Sequence, residues 1–289
     1  MILGGAMFSY DKLNYMIGGG MDKNVPLIAD FMPARWGYEG LVVETYISNE
    51  YGEKFYEIER KESICTYKQS YYLPLLKELL YESKGALNNS TGLNQGKAII
   101  NLSILKHEII KENRINPTVI FENTEKIEAK NLNTRLVDEI EEYLKEVNNF
   151  YSTIYNSVVI RKEMLKTELS KENGNGLRTL KEQYYNSNLN EILTNSLLKK
   201  RIFINSEFNV MQKMDPIYLN PSRGNYLDVR THFYAPKKYF FGTLISTFWF
   251  NTITLWAYTV LLFIILYFNV LKKILSIPNP FKLLKNLKK

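Results

Sequence analysis

Apolar residues recur every three or four positions through Leu136, Ile140, Leu144, Val147, Tyr151, Ile154 and Val158, the spacing that gathers side chains on one stripe of a helix. The stripe predicts a long amphipathic helix over residues 133–170, with a seam near 3.5 residues that suits pairing with another helix. Asn173-Gly174-Asn175-Gly176 reads as its turn and C-cap. The periodicity resumes over residues 178–200 through Leu180, Tyr184, Leu189, Ile192, Leu193 and Leu197. A turn this short predicts that the two segments fold back as an antiparallel, coiled-coil-like hairpin.

The N-terminal half carries weaker patterns of the same kind. Pro33 suits the first turn of a helix over 34–49, with Trp36, Leu41, Val42 and Tyr46 on its apolar side. Residues 53–87 read as helical with an interruption near Pro74, Asn88-Asn89-Ser90-Thr91-Gly92 as a loop, and residues 97–112 as a further helix. Residues 117–131 are irregular, and Val119-Ile120-Phe121 reads either as a short strand or as an anchor. Residues 203–238, rich in Pro and aromatics, read as an extended connector.

A different pattern closes the chain. Residues 239–271 are 33 consecutive positions without a charge, and they include Phe248-Trp249-Phe250, Trp256 and the run from Val260 to Leu266. About 20 such residues cross a bilayer as a helix, so the window predicts a transmembrane helix. It is longer than a crossing needs, which places Tyr239 to Thr247 in the outer interface. Ser246, Thr247, Asn251, Thr252 and Thr254 give one stretch a polar character suited to hydrogen bonds with neighbouring helices.

Charge then orients the span. Of the formal net charge of +7, the six lysines 272, 273, 282, 285, 288 and 289 follow the apolar window, and no Asp or Glu appears after Asp228. By the positive-inside rule this tail is cytoplasmic and the helical region external. The same distribution argues against nucleic acid as a partner, because the excess charge sits beside a span where anionic lipid explains it. Met1 to Phe8 is apolar but too short for a span, and no basic region precedes it as in a signal peptide. It reads as the end of a severed helix, so the chain is expected to be the C-terminal piece of a longer polytopic protein. The expected divisions are residues 1–20 (truncated helix end and linker), 21–50 (a membrane-proximal helical element), 51–238 (external helical domain), 239–271 (transmembrane helix) and 272–289 (basic tail).

Reactive chemistry is sparse. Cys65 is the only cysteine, and His107 and His232 are the only histidines. No metal-ligand spacing, nucleophile motif or phosphate loop is present. No catalytic residue, cofactor site or metal site is expected, and the chain is not expected to be an enzyme by itself. The acidic run Glu139, Glu141, Glu142 and Glu146 reads as a solvated helix face. The informative stretch is Pro26 to Leu41, where Arg35 and Glu39 stand four apart on a helix beside Trp36, Gly37 and Gly40.

Pro33-Ala34-Arg35-Trp36-Gly37-Tyr38-Glu39-Gly40-Leu41 resembles the segment after the fifth transmembrane helix of G-type (white-like, ABC-2) ABC transporters. There a re-entrant helical element carries a pattern like S-x-x-R-[WY]-[AG]-x-E-A-L; here Gly40 stands where Ala is commoner. Met214-Asp215-Pro216-Ile217-Tyr218 with His232 to Lys237, and Phe248-Trp249-Phe250-Asn251 leading to Tyr267 through Lys273, resemble Bacteroidetes-type members of this class. The resemblance implies the C-terminal part of a fused ATPase/permease: a re-entrant element, a large external domain and the last transmembrane helix, in a mainly α fold. The implied re-entrant motif is Asp30, Pro33, Arg35, Trp36, Tyr38 and Glu39, in a structural or gating role. The implied membrane-anchor flanks are Trp249, Trp256, Lys272 and Lys273. ATP and Mg would bind only in the nucleotide-binding domain of the parent. The implied partners are the lipid bilayer, the remaining permease helices, that nucleotide-binding domain and a second copy of the parent, and the implied location is the bacterial inner membrane. The rival expectation is a single-pass, membrane-anchored coiled-coil interaction protein.

Overall fold

A computed structural model describes residues 25, 27–88, 92–171, 176–198, 200–205, 208–221, 231–270 and 272. The expected helix end at 1–20, most of the loop at 88–92, the turn at 173–175, and Lys273 with the rest of the basic tail lie outside these residues. The described chain is mostly helical. A short turn α1 (Leu27–Asp30) leads into α2 (Pro33–Ile47) and α3 (Glu50–Tyr67). A π turn (Lys68–Tyr72) joins α3 to α4 (Leu73–Asn88), followed by α5 (Gly92–Ile115) and the long α6 (Thr134–Lys171). Then come α7 (Gly176–Tyr184), α8 (Ser187–Thr194), strands β1 (Ile202–Ile204) and β2 (Val210–Gln212), strands β3 (Lys237–Phe240) and β4 (Thr243–Ser246), and α9 (Thr247–Tyr267).

Pro74 does not break its helix. A proline inside a helix lacks one N–H and its ring collides with the carbonyl four residues back. Here the turn before it is widened, with Leu73 N–H bonding to the Lys68 carbonyl five residues back, and the axis continues through to Asn88. The result is a nearly continuous antiparallel partner for α6. Lys162 pairs with Glu62 at 2.6 Å, Lys68 lies 5.7 Å from the Tyr151 ring, and Tyr81 bonds to Glu141, so sequence numbers fall along one helix as they rise along the other.

This corrects the expected hairpin. The seam of α6 is as the periodicity predicts, with Leu136, Ile140, Leu144, Val147, Tyr151 and Val158 buried. Its main partner, however, is α3–α4 and not the segment after it. Residues 178–200 divide at Tyr185-Asn186, where Asn186 caps α8 by accepting from Leu189 N–H. Leu180 of α7 packs with Phe55 and Leu169, whereas Leu193 of α8 packs with Val43, Tyr46 and Tyr218. Two short helices reach two different cores, and Leu197 is left exposed. The segment 203–238 is not simply extended: β1 pairs antiparallel with β2. Val119-Ile120-Phe121 is an anchor, with Phe121 buried against Tyr143.

Buried polar groups pin this bundle. Glu108 and Glu112, one turn apart on α5, are both inside. Glu108 accepts from Val210 N–H at 2.9 Å and from the Tyr72 hydroxyl at 3.1 Å. Glu112 accepts from Lys68 and from the Tyr151 hydroxyl. All four carboxylate oxygens are satisfied, which is what buried charge requires, and the first bond ties the β1–β2 hairpin to the bundle. At the other end Tyr46 of α2 shares a hydrogen bond with Tyr218 and donates to Asn190, each at 2.7 Å, while Tyr56 donates to the Ile217 carbonyl. The C-terminal end of helix α2 is therefore held by the helical bundle. The turn from α2 to α3 is tight enough to demand Gly52, whose added Cβ would lie 2.4 Å from the Tyr46 carbonyl oxygen.

Burial, reinforced by nearby carboxylates in most cases, holds the phenols of Tyr46, Tyr51, Tyr67, Tyr72, Tyr143, Tyr151 and Tyr218 above their ordinary range. An acid whose pKa is higher in the folded state contributes stability below its unfolded value, about 10, and that stability is lost as pH rises past it. Unfolding with a rise in phenolate absorbance is expected above pH ~10, steeper than one group allows. A gradual phenolate titration with the helical circular dichroism unchanged would contradict this. Leu144→Ala is expected to cost about 2–5 kcal/mol in denaturant unfolding, and Met164→Ala, exposed on the same helix, within about 0.5 kcal/mol of zero.

Candidate functional site

The apolar window resolves into two structures. Residues 239–246 are not the start of the span: they belong to the β3–β4 hairpin, in which Lys237 pairs with Ser246 and Phe240 with Thr243. Helix α9 starts at Thr247, N-capped by the Ser246 hydroxyl. It has 21 residues, its most apolar 18-residue stretch has a mean hydropathy of 1.8, and it is long and apolar enough to cross a membrane. The side chains of α9 divide along its length. Thr247, Phe250 and Asn251 are buried, but from Thr259 to Tyr267 every residue except the half-buried Ile265 is exposed.

Helix α2 covers the first half. The two run side by side in opposite directions: Gly40 lies against Phe248 and Asn251, Gly37 against Leu255, and the Asp30 carbonyl accepts from the Tyr258 hydroxyl at 2.6 Å. Gly40 permits the approach, because a Cβ there would stand 3.3 Å from that of Asn251. Asp30 is thus level with a point eleven residues into α9, about 16 Å from its start.

Four charged side chains meet in this contact. Arg35 Nη1 is 3.0 Å from Asp30 Oδ1 and its Nη2 is 3.8 Å from Glu39 Oε2. Lys238 of β3 donates to Glu39 Oε2 at 2.5 Å. Asn251 Nδ2 donates to the same oxygen at 3.1 Å and to the Trp36 carbonyl at 2.9 Å. Glu39 and Lys238 are both 0 % exposed. Trp36 roofs the network: the Arg35 guanidinium lies 4.0 Å and the Lys238 ammonium 4.8 Å from its ring, and its Nε1–H donates to the Asp30 carbonyl at 2.8 Å. The two acids and two bases balance. Burial by itself would raise the Glu39 carboxyl, but Lys238, then Arg35, hold it below the usual carboxylate range. His232 lies beside the pair. Burial lowers its pKa, and Nε2 carries a proton, because its partner at 2.9 Å is the Pro216 carbonyl, which can only accept.

Of the sequence-derived residues, Asp30, Arg35, Trp36 and Glu39 converge. Arg35 and Glu39 are both buried, as is Trp36. Pro33 opens α2 from an exposed position. Tyr38 points away, onto Phe233 and Tyr234. Trp249 and Trp256 are exposed on α9, as is Lys272 beyond it. Lys238 and Tyr258 were not singled out from sequence, whereas Asn251 was, among the polar positions of the apolar window.

Four buried atoms of the network have no hydrogen-bond partner among the described residues: Arg35 Nε and Nη1, Glu39 Oε1 and Asn251 Oδ1, although Nη1 lies within ion-pair distance of Asp30. The carboxylates on α5 differ in having every oxygen bonded, and an unpaired buried donor or acceptor is costly. No group of three or more His, Cys, Asp or Glu side chains that could hold a metal ion occurs among the described residues. The site as described is a set of charge pairs between two helices and a hairpin. Comparison with protein-family models, curated proteins and solved structures returns no match for this chain.

Removing one member of a buried pair strands the other. Lys238→Met is expected to cost about 3–5 kcal/mol, read as a lower melting temperature of tryptophan fluorescence in nanodiscs. Replacing Glu39 as well, in a Glu39→Met/Lys238→Met variant, is expected to recover part of that loss. A double variant no better than the sum of the singles would show that the pair is not coupled.

Proposed function

We propose that this chain is the C-terminal part of an ABC-2 (G-type) permease, with α9 as its last transmembrane helix and α2 as the re-entrant element beside it. The helical bundle is the external domain that caps the translocation path. The observation that carries this reading is the division of α9: its first half is bonded to α2 through a buried charge network, while its second half is apolar and bare on nearly every side. A bare apolar rod in water would aggregate, and lipid with neighbouring helices is the environment that fits it. Charged side chains beside a span are costly unless paired and turned inward, and Asp30, Arg35, Glu39 and Lys238 meet both conditions.

In this reading Lys272 and the lysines after it lie in the cytoplasm, and the bundle lies outside the bacterial inner membrane. ATP and Mg act in the nucleotide-binding domain of the parent, for which this chain supplies no residues. The movement driven there reaches the external domain through α2, because one end of that helix is held by α9 and the other by Tyr218, Asn190 and Leu193. A second copy of the parent completes the pathway.

Topology reporters test the proposal. Green fluorescent protein fused after Lys289 is expected to fluoresce and alkaline phosphatase there to be inactive. Alkaline phosphatase inserted between Lys171 and Gly176 is expected to be active. The reverse pattern would favour the membrane-anchored interaction protein, and soluble, unfloated material would overturn both.

A further inference from the structure

The β3–β4 hairpin turns through two residues, Phe241 and Gly242, both with positive φ (47° and 81°). A two-residue turn with φ positive at both positions is the type favoured by Asn-Gly, and a bulky residue at the first position is strained. This chain nevertheless places Phe there, and leaves it 66 % exposed. Leu244 on the returning strand and Trp249 in the first turn of α9 are also exposed. Strain kept for an exposed aromatic points to a role outside the folded core.

The hairpin is drawn back along the first turns of α9. The Phe240 ring is 5.8 Å from that of Phe250, and the Lys238 ammonium is 5.7 Å from the same ring. Its inner side therefore faces the charge network, and the tip stands beside the start of the apolar helix. The crossing does not need these residues, since 21 helical residues already rise about 31 Å against a hydrocarbon core of about 30 Å. The hairpin carries no charge from Tyr239 onward, while Lys237 at its base is exposed. Aromatic rings with a cation beside them are the composition of the membrane–water interface.

We propose that the β3–β4 hairpin is an interfacial membrane anchor, with Phe241 and Leu244 seated at the headgroup–acyl boundary of the outer leaflet next to Trp249. This rests on α9 crossing the bilayer, as argued above. Because Lys238 sits on the same strand, the anchor fixes at once the depth of the span and the position of the ion pair that holds α2.

Spin labels on the full chain in phospholipid nanodiscs test it. Cys65, which is buried, is replaced by Ala, and single cysteines are placed at 241, 244, 263 and 164. Molecular oxygen concentrates in acyl chains and a water-soluble nickel chelate in the aqueous phase. The ratio of oxygen to nickel accessibility is expected to be several-fold higher at 241 and 244 than at 164 in the external bundle, and highest at 263 in α9. A water-like ratio at 241 and 244 with a lipid-like ratio at 263 would overturn the anchor and leave the span standing. A water-like ratio at 263 would remove the span itself, and the anchor with it. Shielding of 241 from both reagents would show that a second protein copy covers the tip in place of lipid, which also overturns the proposal. Unchanged circular dichroism in the labelled chains confirms that each reports on the folded state.

Discussion

The pairing of Glu39 with Lys238 joins two parts of the chain that stand 199 residues apart in sequence. One partner comes from α2 and the other from the strand that leads into α9, and both are removed from water. Neither charge survives burial without the other. Arg35 and Asp30 extend the pairing one turn further along α9, and Asn251 adds the hydrogen bond that registers the two helices. With this network in place, α2, the β3–β4 hairpin and the start of α9 form one unit. Without it, the two helices are aligned only by the close approach at Gly37 and Gly40, the bond from Tyr258 to the Asp30 carbonyl and the contact of the Trp36 and Phe250 rings.

That unit is joined to the bundle through the far end of α2. Tyr46 reaches Tyr218 and Asn190, Val43 reaches Leu193, and the Gly52 turn keeps α3 close behind. Helix α2 is thus a short rigid link between the apolar helix and a domain built on helices more than 35 residues long. The two attachments differ in kind. The bundle's buried carboxylates on α5 are fully bonded, which suits a static scaffold. The network on α9 keeps buried donors and acceptors that have no partner among the described residues.

Much of the bundle was legible in the sequence because α6 is amphipathic over its whole length. Leu136 through Val158 lie where the periodicity put them. Its partner was misread for a reason that follows from chain connectivity. A short turn favours the next segment as neighbour, but α3–α4 offers an equally long apolar face, and the π turn at Lys68–Tyr72 absorbs Pro74, which had suggested an interruption. Residues 178–200 show a helical period, yet Tyr185-Asn186 breaks the axis, and periodicity cannot register a change of direction. At the site, the i,i+4 spacing of Arg35 and Glu39 identified the pair but not its burial. Lys238 carried no signal of its own, because Lys237 and Lys238 are alike in sequence and only the alternation of β3 turns one inward and the other to solvent. The charge-free window set the location of α9 but not its start, since a strand hairpin and a helix are equally apolar there.

Hydrogen–deuterium exchange in nanodiscs tests most directly whether α2 and the start of α9 behave as one body. Amides from Arg35 to Gly40 and those of α9 from Phe250 to Leu255 are expected to show the same slow exchange, and to lose protection together when Glu39 is replaced by Gln. Fast exchange of α2 beside a protected α9 in the unaltered chain would contradict the account, because it would mean that the buried charges do not hold the two helices together.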